Sequence, residues 1–275
     1  MVPEPPSTLA CRAMAGSRVL LSTAAFFARP LAATFELAAE CGYTGVEVMV
    51  TKDPASQSAS VMRDLAAEHG LWIGALHAPA LLLTRAVWGK DPIGKIDTAT
   101  RVAATAKVPL VVMHPPYRWQ GAYRRWLLSS LATVEDRSGI TVAMENMFPV
   151  HIGSRPMMLH ADQDLDQLIG IPHLVLDTSH AAVAKHDLIE VRQLFGERLR
   201  HVHLSDNAGK GWDSHLPPGE GVLDLDGFLR DLAGSGFDGT VSLEVDLRKR
   251  IDDPAGLRSL LIDMRQQVES LLAIA

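Results

Sequence analysis

Val108–Pro116, VPLVVMHPP, carries an unbroken apolar run that ends in a histidine and two prolines. A run this short, rich in Val and without polar alternation, reads as a strand covered on both faces. Parallel sheets between helices need such strands, whereas half-solvated antiparallel sheets alternate. Before it, Ile93–Lys107 has helical periodicity. After it, Tyr123–Arg137 reads as a helix stopping before Gly139, and Ile140–Glu145, ITVAME, is a second strand of the same kind. Strand, helix, strand in this order implies a right-handed parallel crossover.

The same unit repeats in both directions. Strands are expected at Arg18–Thr23, Gly45–Val50, Leu71–His77, Pro109–His114, Ile140–Glu145, His173–Asp177, Leu199–Leu204 and Thr240–Glu244. Helices are expected at Pro30–Cys41, Gln57–His69, Ile93–Lys107, Tyr123–Arg137, Asp162–Ile169, Asp187–Phe195, Asp224–Ala233 and Pro254–Ala273. Eight strand–helix units in about 250 residues match an α/β fold of the (β/α)8 TIM-barrel type, a single domain over 17–275. A doubly wound open sheet is the rival. It ordinarily carries a Gly-rich phosphate turn after its first strand, and here that position reads STAAFFARP. Residues 1–16, with three prolines among the first six, are expected to form a disordered tail.

Composition narrows the partners. The 275 residues are 47% hydrophobic and 21% charged, enough for a large core. A net charge of −6 disfavours, without excluding, a nucleic-acid partner. Two cysteines, Cys11 and Cys41, provide no disulfide framework and suit a reducing cytosol, so a cytoplasmic location is expected. No apolar run reaches membrane-spanning length, so no membrane partner is expected, and the sequence is silent on oligomeric state.

Active sites of barrels lie at the C-terminal ends of the strands. Here those ends read Glu47, His77, His114, Glu145, Asp177, His203 and Glu244, with His180 one turn past Asp177. One polar strand end means little, but seven of eight form a ring of imidazoles and carboxylates. Clustered carboxylates repel one another unless cations join them, which divalent ions do. The stretch Leu199–Leu223, LRHVHLSDNAGKGWDSHLPPGEGVL, adds density: His203, Asp206, Asp213 and His215 lie in a Gly- and Pro-rich loop, the last two at i, i+2. Imidazole with carboxylate is the donor set of zinc and related ions.

These residues resemble the xylose isomerase-like TIM-barrel superfamily, which holds sugar phosphate isomerases and epimerases and the endonuclease IV-like proteins (AP endonuclease family 2). The likeness runs from about residue 18 and is strongest in LDTSHAAVAKHDL, HVHLSD and DSHLPPGEG. It implies two alternative metal patterns. In the endonuclease IV-like pattern nine ligands hold three zinc ions: His77, His114, Glu145, Asp177, His180, His203, Asp213, His215 and Glu244. In the epimerase-like pattern one Mn, Co, Mg or Zn ion is held by Glu145, Asp177, His203 and Glu244, and the two glutamates are catalytic acid and base. One to three ions per chain are therefore expected. The chain departs from the endonuclease pattern after Glu145, where it reads NMFPVHIGSRPMMLHAD. The loop TKDPASQSAS after the second strand has one Lys and no Arg, poor equipment for gripping a duplex. The stretch ALLLTRAVW after His77 could wedge a duplex or line a small pocket.

Arg155, Lys185, Lys210 and Arg248 are candidate substrate contacts, and Glu47 is expected either to touch substrate or to stand behind the ligands as a supporting carboxylate. His201, two residues before His203, is expected one layer deeper as a support. His160 is expected to be structural or solvated, and Trp88, Trp119 and Trp212 to pack in the core or a lid, with the walls of the pocket as their alternative. Three readings follow. A metal-dependent isomerase or epimerase of a small sugar, polyol or sugar phosphate ranks first. A multinuclear zinc phosphoester hydrolase resembling an abasic-site endonuclease ranks second, and a non-catalytic metal- or sugar-binding barrel third.

Overall fold

The computed structural model describes residues 17–27, 29–79, 86–152, 155–161 and 165–273. The tail expected over 1–16 and residues 80–85 of the stretch after His77 lie outside them. Eight parallel strands close into a barrel: β1 (Val19–Ser22), β2 (Gly45–Met49), β3 (Trp72–His77), β4 (Leu110–Met113), β5 (Thr141–Glu145), β8 (Leu174–Asp177), β9 (Leu199–Leu204) and β10 (Thr240–Leu243). An antiparallel hairpin, β6 (Val150–Ile152) with β7 (Arg155–Met157), is inserted after β5. Around the barrel, in neighbour order, run β1, β10, β9, β8, β5, β4, β3 and β2. The helices are α1 (Leu31–Glu40), α2 (Ala59–His69), α3 (Pro92–Ala106), α4 (Gly121–Ser138), α5 (Thr178–Val183), α6 (Leu188–Phe195), α7 (Leu225–Gly234) and α8 (Pro254–Leu272).

Local sequence explains the punctuation. Asp91 caps α3 by accepting from the backbone N–H groups of Ile93 and Gly94, with Pro92 in the first turn, where no N–H is needed. Asp187 caps α6 in the same way. Gly70 and Gly139 end α2 and α4 in the left-handed region, at φ 65° and 68°.

The strand period of two then sorts the side chains. On one face Val46, Val48, Val111, Met113, Val142, Met144, Leu174, Leu176, Val202 and Leu204 join the large core between strands and helices. The other face turns into the barrel, where Ala75, Leu110, Val112, Ala143 and Val175 form a smaller apolar cluster. The inward alternation also carries the polar residues. Asp177 and Ser242 flank His203 in register, and Val175 and Thr240 flank His201. Polar groups thus occupy interior positions that a purely structural barrel fills with branched aliphatics.

The barrel is tight where it is apolar. A Cβ added to Gly45 would lie 2.5 Å from Trp72 Nε1 and 2.8 Å from Leu20 Cδ2. Gly45→Ala is therefore expected to cost about 1–3 kcal/mol by overpacking, read as a lower urea midpoint with an unchanged slope.

Candidate metal centre

Six of the proposed ligands project from, or just beyond, the C-terminal ends of six different strands, and they converge. Glu145 on β5 lies at the centre. Its Oε2 is 3.1 Å from His114 Nε2 and 3.5 Å from His77 Nε2, and its Oε1 is 3.0 Å from His203 Nδ1. On the far side of His203, Nδ1 is 2.8 Å from Glu244 Oε2 and 3.8 Å from Asp177 Oδ2. Glu145 and Glu244 therefore face each other across one nitrogen.

The remaining three ligands come from later in the chain. Asp177 caps α5, accepting from the backbone N–H of His180 at 2.7 Å, so the helix start places His180 directly above it. Asp213 and His215 arrive on the loop after β9. His215 Nε2 lies 2.8 Å from Asp213 Oδ2, which is also 3.4 Å from His180 Nε2. That loop is held by Asp206, which is not a ligand. Its carboxylate accepts from the backbone N–H groups of Asn207, Gly219, Gly221 and Leu223 at 2.8–3.1 Å, and its backbone exchanges two hydrogen bonds with Leu216.

Two observations fit this cluster to cations. First, the buried oxygens Glu145 Oε2, Asp177 Oδ2 and Glu244 Oε2 accept no hydrogen bond of good geometry. A buried carboxylate oxygen left in that state is costly unless a cation takes the lone pair. Second, the histidines are oriented from behind. Nδ1 of His77 lies 3.0 Å from the Ala78 carbonyl, that of His180 2.9 Å from Asn146, and that of His215 2.9 Å from Glu244. A carbonyl only accepts, so each Nδ1 carries a proton and Nε2 is the atom each ring turns toward the carboxylates, the one that would serve as ligand when a cation takes the place of its proton. His203 is reversed: Nε2 is anchored below and Nδ1 faces inward. Ligand atoms of His77/Glu145/His203, of Asp177/His203/Glu244 and of Asp177/His180/His215 each lie within 4.8 Å of one another.

Electrostatics agree with a cluster that wants positive charge. Burial disfavours charge on His203, but Glu244, Glu47 and Glu145 outweigh it and raise its pKa well above the usual imidazole range. Burial likewise opposes charge on His215, yet Asp213 and Asp177 push its pKa up to about 10. Asp177 shows the opposite: burial pushes its pKa up to about 6. Without ions, protons on the histidines serve as the countercharge.

A cavity of about 350 Å³ opens over the cluster, walled also by Phe27, Met49, Trp212 and Arg248. A second cavity of about 180 Å³ adjoins it and shares His114; Tyr117, Trp119, Lys95 and His160 line it. Tyr117 stacks on Trp119 at 4.7 Å and on His160 at 4.5 Å.

The structure also places the remaining candidates, keeping some readings and overturning others. Glu47 is not a strand-end substrate contact. It sits mid-strand in β2 with no exposure and touches His201 and His203. Lys185 and Lys210 are exposed and are not among the residues lining the main cavity, whereas Arg248 lines it and pairs with Asp246. Arg155 falls in β7, and its side chain lies outside the described residues. Trp119 and Trp212, at 70% and 55% exposure, are cavity rims and not core. His160 is buried, with Nδ1 2.8 Å from the Pro115 carbonyl, and burial pushes its pKa down to about 4. The sequence reading missed Asn146, which accepts from the backbone N–H of Asp177 and donates to its carbonyl. Its place beside Glu145 in MEN was the available signal.

Comparison with known proteins agrees with this architecture. The family profile described as a xylose isomerase-like TIM barrel matches residues 35–264, and the chain belongs to that family. An uncharacterized protein of Mycobacterium tuberculosis is 36% identical over 247 residues, 83% of this chain and 88% of its own length. D-psicose 3-epimerase from Clostridium cellulolyticum, crystallised with D-tagatose, superposes with a TM-score of 0.67 at 15% identity, covering 92% of this chain and 99% of that one. The IolI protein with a bound zinc atom superposes with a TM-score of 0.66 at 19% identity, covering 92% and 95%. At these identities both likenesses speak to the fold. Among the described residues no helix is long and apolar enough to cross a membrane.

Proposed function

We propose that the protein is a metal-dependent epimerase or isomerase of a small sugar, polyol or sugar phosphate. The observation that carries this reading is the pair Glu145 and Glu244, both within 3.0 Å of His203 Nδ1 under a 350 Å³ cavity. Glu145, Asp177, His203 and Glu244 would hold one divalent ion, whose chemistry is to polarise a carbonyl and its neighbouring hydroxyl. The two carboxylates then do the proton work. One takes the proton from the carbon beside the carbonyl. In epimerisation the other returns a proton to the opposite face of the same carbon. In isomerisation the proton goes to the neighbouring carbon while a hydroxyl proton passes to the former carbonyl oxygen. The atoms balance without an oxidant or reductant. Arg248 on the cavity wall is already engaged by Asp246, an arrangement that suits hydroxyls better than a phosphate. The adjoining aromatic cavity gives room for the remainder of a substrate, and the epimerase among the structural neighbours supports the class.

A second reading is a multinuclear phosphoester hydrolase, favoured by the three overlapping ligand groups. Elemental analysis of protein purified without chelator and incubation with a ketose panel in D2O separate the two. We expect one tightly held ion and deuterium incorporated beside the carbonyl. Three ions, no exchange on any sugar and cleavage of an abasic duplex would establish the hydrolase.

A further inference from the structure

The reversed histidine has a built cause inside the barrel. His203 Nε2 lies 3.0 Å from Glu47 Oε1, His201 Nε2 lies 3.3 Å from Glu47 Oε2, and His201 Nδ1 lies 2.6 Å from Thr240 Oγ1. Glu47, His201 and His203 are fully buried. We propose that Glu47 is a positioning residue: by accepting hydrogen bonds from both His203 Nε2 and His201 Nε2, it holds the His203 proton on Nε2, so that Nδ1 is the nitrogen offered to a cation shared with Glu145, Asp177 and Glu244. The inference rests on His203 being a metal ligand.

The hydrogen bonds to Glu47 fix where one proton of each imidazole sits. A carboxylate only accepts, so each imidazole nitrogen facing Glu47 must carry its proton. His203 Nδ1 then faces Glu145, Asp177 and Glu244 at 3.0, 3.8 and 2.8 Å, where a second proton satisfies it in the ion-free protein and a cation takes that proton's place in the ion-bound one. His201 Nδ1 is bare and accepts the Thr240 hydroxyl proton. Every polar atom of the chain Thr240–His201–Glu47–His203 is used in that assignment. The neutral form with its proton on Nδ1 would set a bare Nε2 against a carboxylate oxygen at 3.0 Å and leave no ligand atom facing the cluster. The other site histidines use backbone carbonyls for the same purpose. His203 is mid-barrel, where the backbone is committed to the sheet, so a side chain from the facing strand supplies the acceptor. A carboxylate there also makes the imidazole a stronger donor to a cation, and removing such a partner commonly weakens metal binding by about 10–100-fold.

The test is Glu47→Gln, nearly isosteric but with an amide that offers a donor where an acceptor is needed. Zinc affinity is measured by competition with a chromophoric chelator, and two-bond 15N NMR of the imidazoles is recorded on the zinc-loaded parent. We expect the variant to unfold cooperatively, to keep its ion count at saturating zinc and to bind about 10–100-fold more weakly. In the parent, His203 should show the proton on Nε2. Unchanged affinity in a folded variant, or the proton on Nδ1 in the parent, overturns the proposal and leaves the metal reading standing. Loss of one whole ion with the others unaffected would make Glu47, His201 and His203 a separate ion site and overturn it as well. No zinc uptake by the parent overturns both. If the variant does not fold, the parent spectrum alone decides.

Discussion

Glu145→Ala is expected to release the bound ion and to lower turnover by about 10²–10⁴-fold or more, because one residue is both proposed ligand and proposed acid–base. It is also the residue most densely engaged by nitrogen, facing His77, His114, His180 and His203. Removing its carboxylate leaves those imidazoles with no shared anion and any ion under-coordinated. Thermal melting gives an independent check. An ion at 100–1,000 times its dissociation constant stabilises the folded state by about 2.7–4.1 kcal/mol, so chelation should lower the parent's melting temperature. The variant should melt alike with and without chelator. Full metal content in Glu145→Ala, together with a parent indifferent to chelation, would place the centre elsewhere.

The double variant Asp213→Ala/His215→Ala divides the two enzymatic readings. Both residues sit on the loop after β9 and touch the cluster through His180, through the Glu244 carbonyl at His215 Nδ1, and through each other. An epimerase built on Glu145, Asp177, His203 and Glu244 keeps its ligands, so one tightly bound ion and measurable deuterium exchange should remain. A trinuclear hydrolase loses the shell of one ion and the charge it contributes to the transition state, with a loss of about 10²–10³-fold or more. We expect the parent to be inactive on abasic duplex, and the variant with it. Strong cleavage by the parent that vanishes in the double variant would reverse the ranking.

The barrel and most of the centre were legible because one pattern encodes both. VPLVVMH, TVAME and LVLD are apolar runs that end in a ligand type, and those runs became β4, β5 and β8. Pattern reading failed where no period exists. The hairpin β6–β7 has strands of three residues, too short to show alternation, with Pro156 inside one of them. The helix expected at Asp162–Ile169 is a 3-10 helix at Leu165–Gly170, and residues 162–164 lie outside the described residues. Glu47 was visible as a residue but not as a place: GVEVM gives the strand, while which carboxylate lies level with the cluster depends on barrel stagger. The exposure of Trp119 and Trp212 was equally hidden, since an aromatic in a loop reads alike at a rim or in a core.

The loop fastened by Asp206 has an architectural consequence. Asp213 and His215 travel together on a segment whose own carboxylate ties four of its backbone amides and which is moored to the barrel at Ser179, Ser205, Glu244 and Asp246. The inner ligands, by contrast, are anchored in the sheet through strand register and through Glu47. On the proposed metal reading, exchanging residues between 207 and 222 is expected to change the number of ions held while the strand-borne set stays. In such a barrel the loop is the interchangeable part and the sheet the fixed chassis.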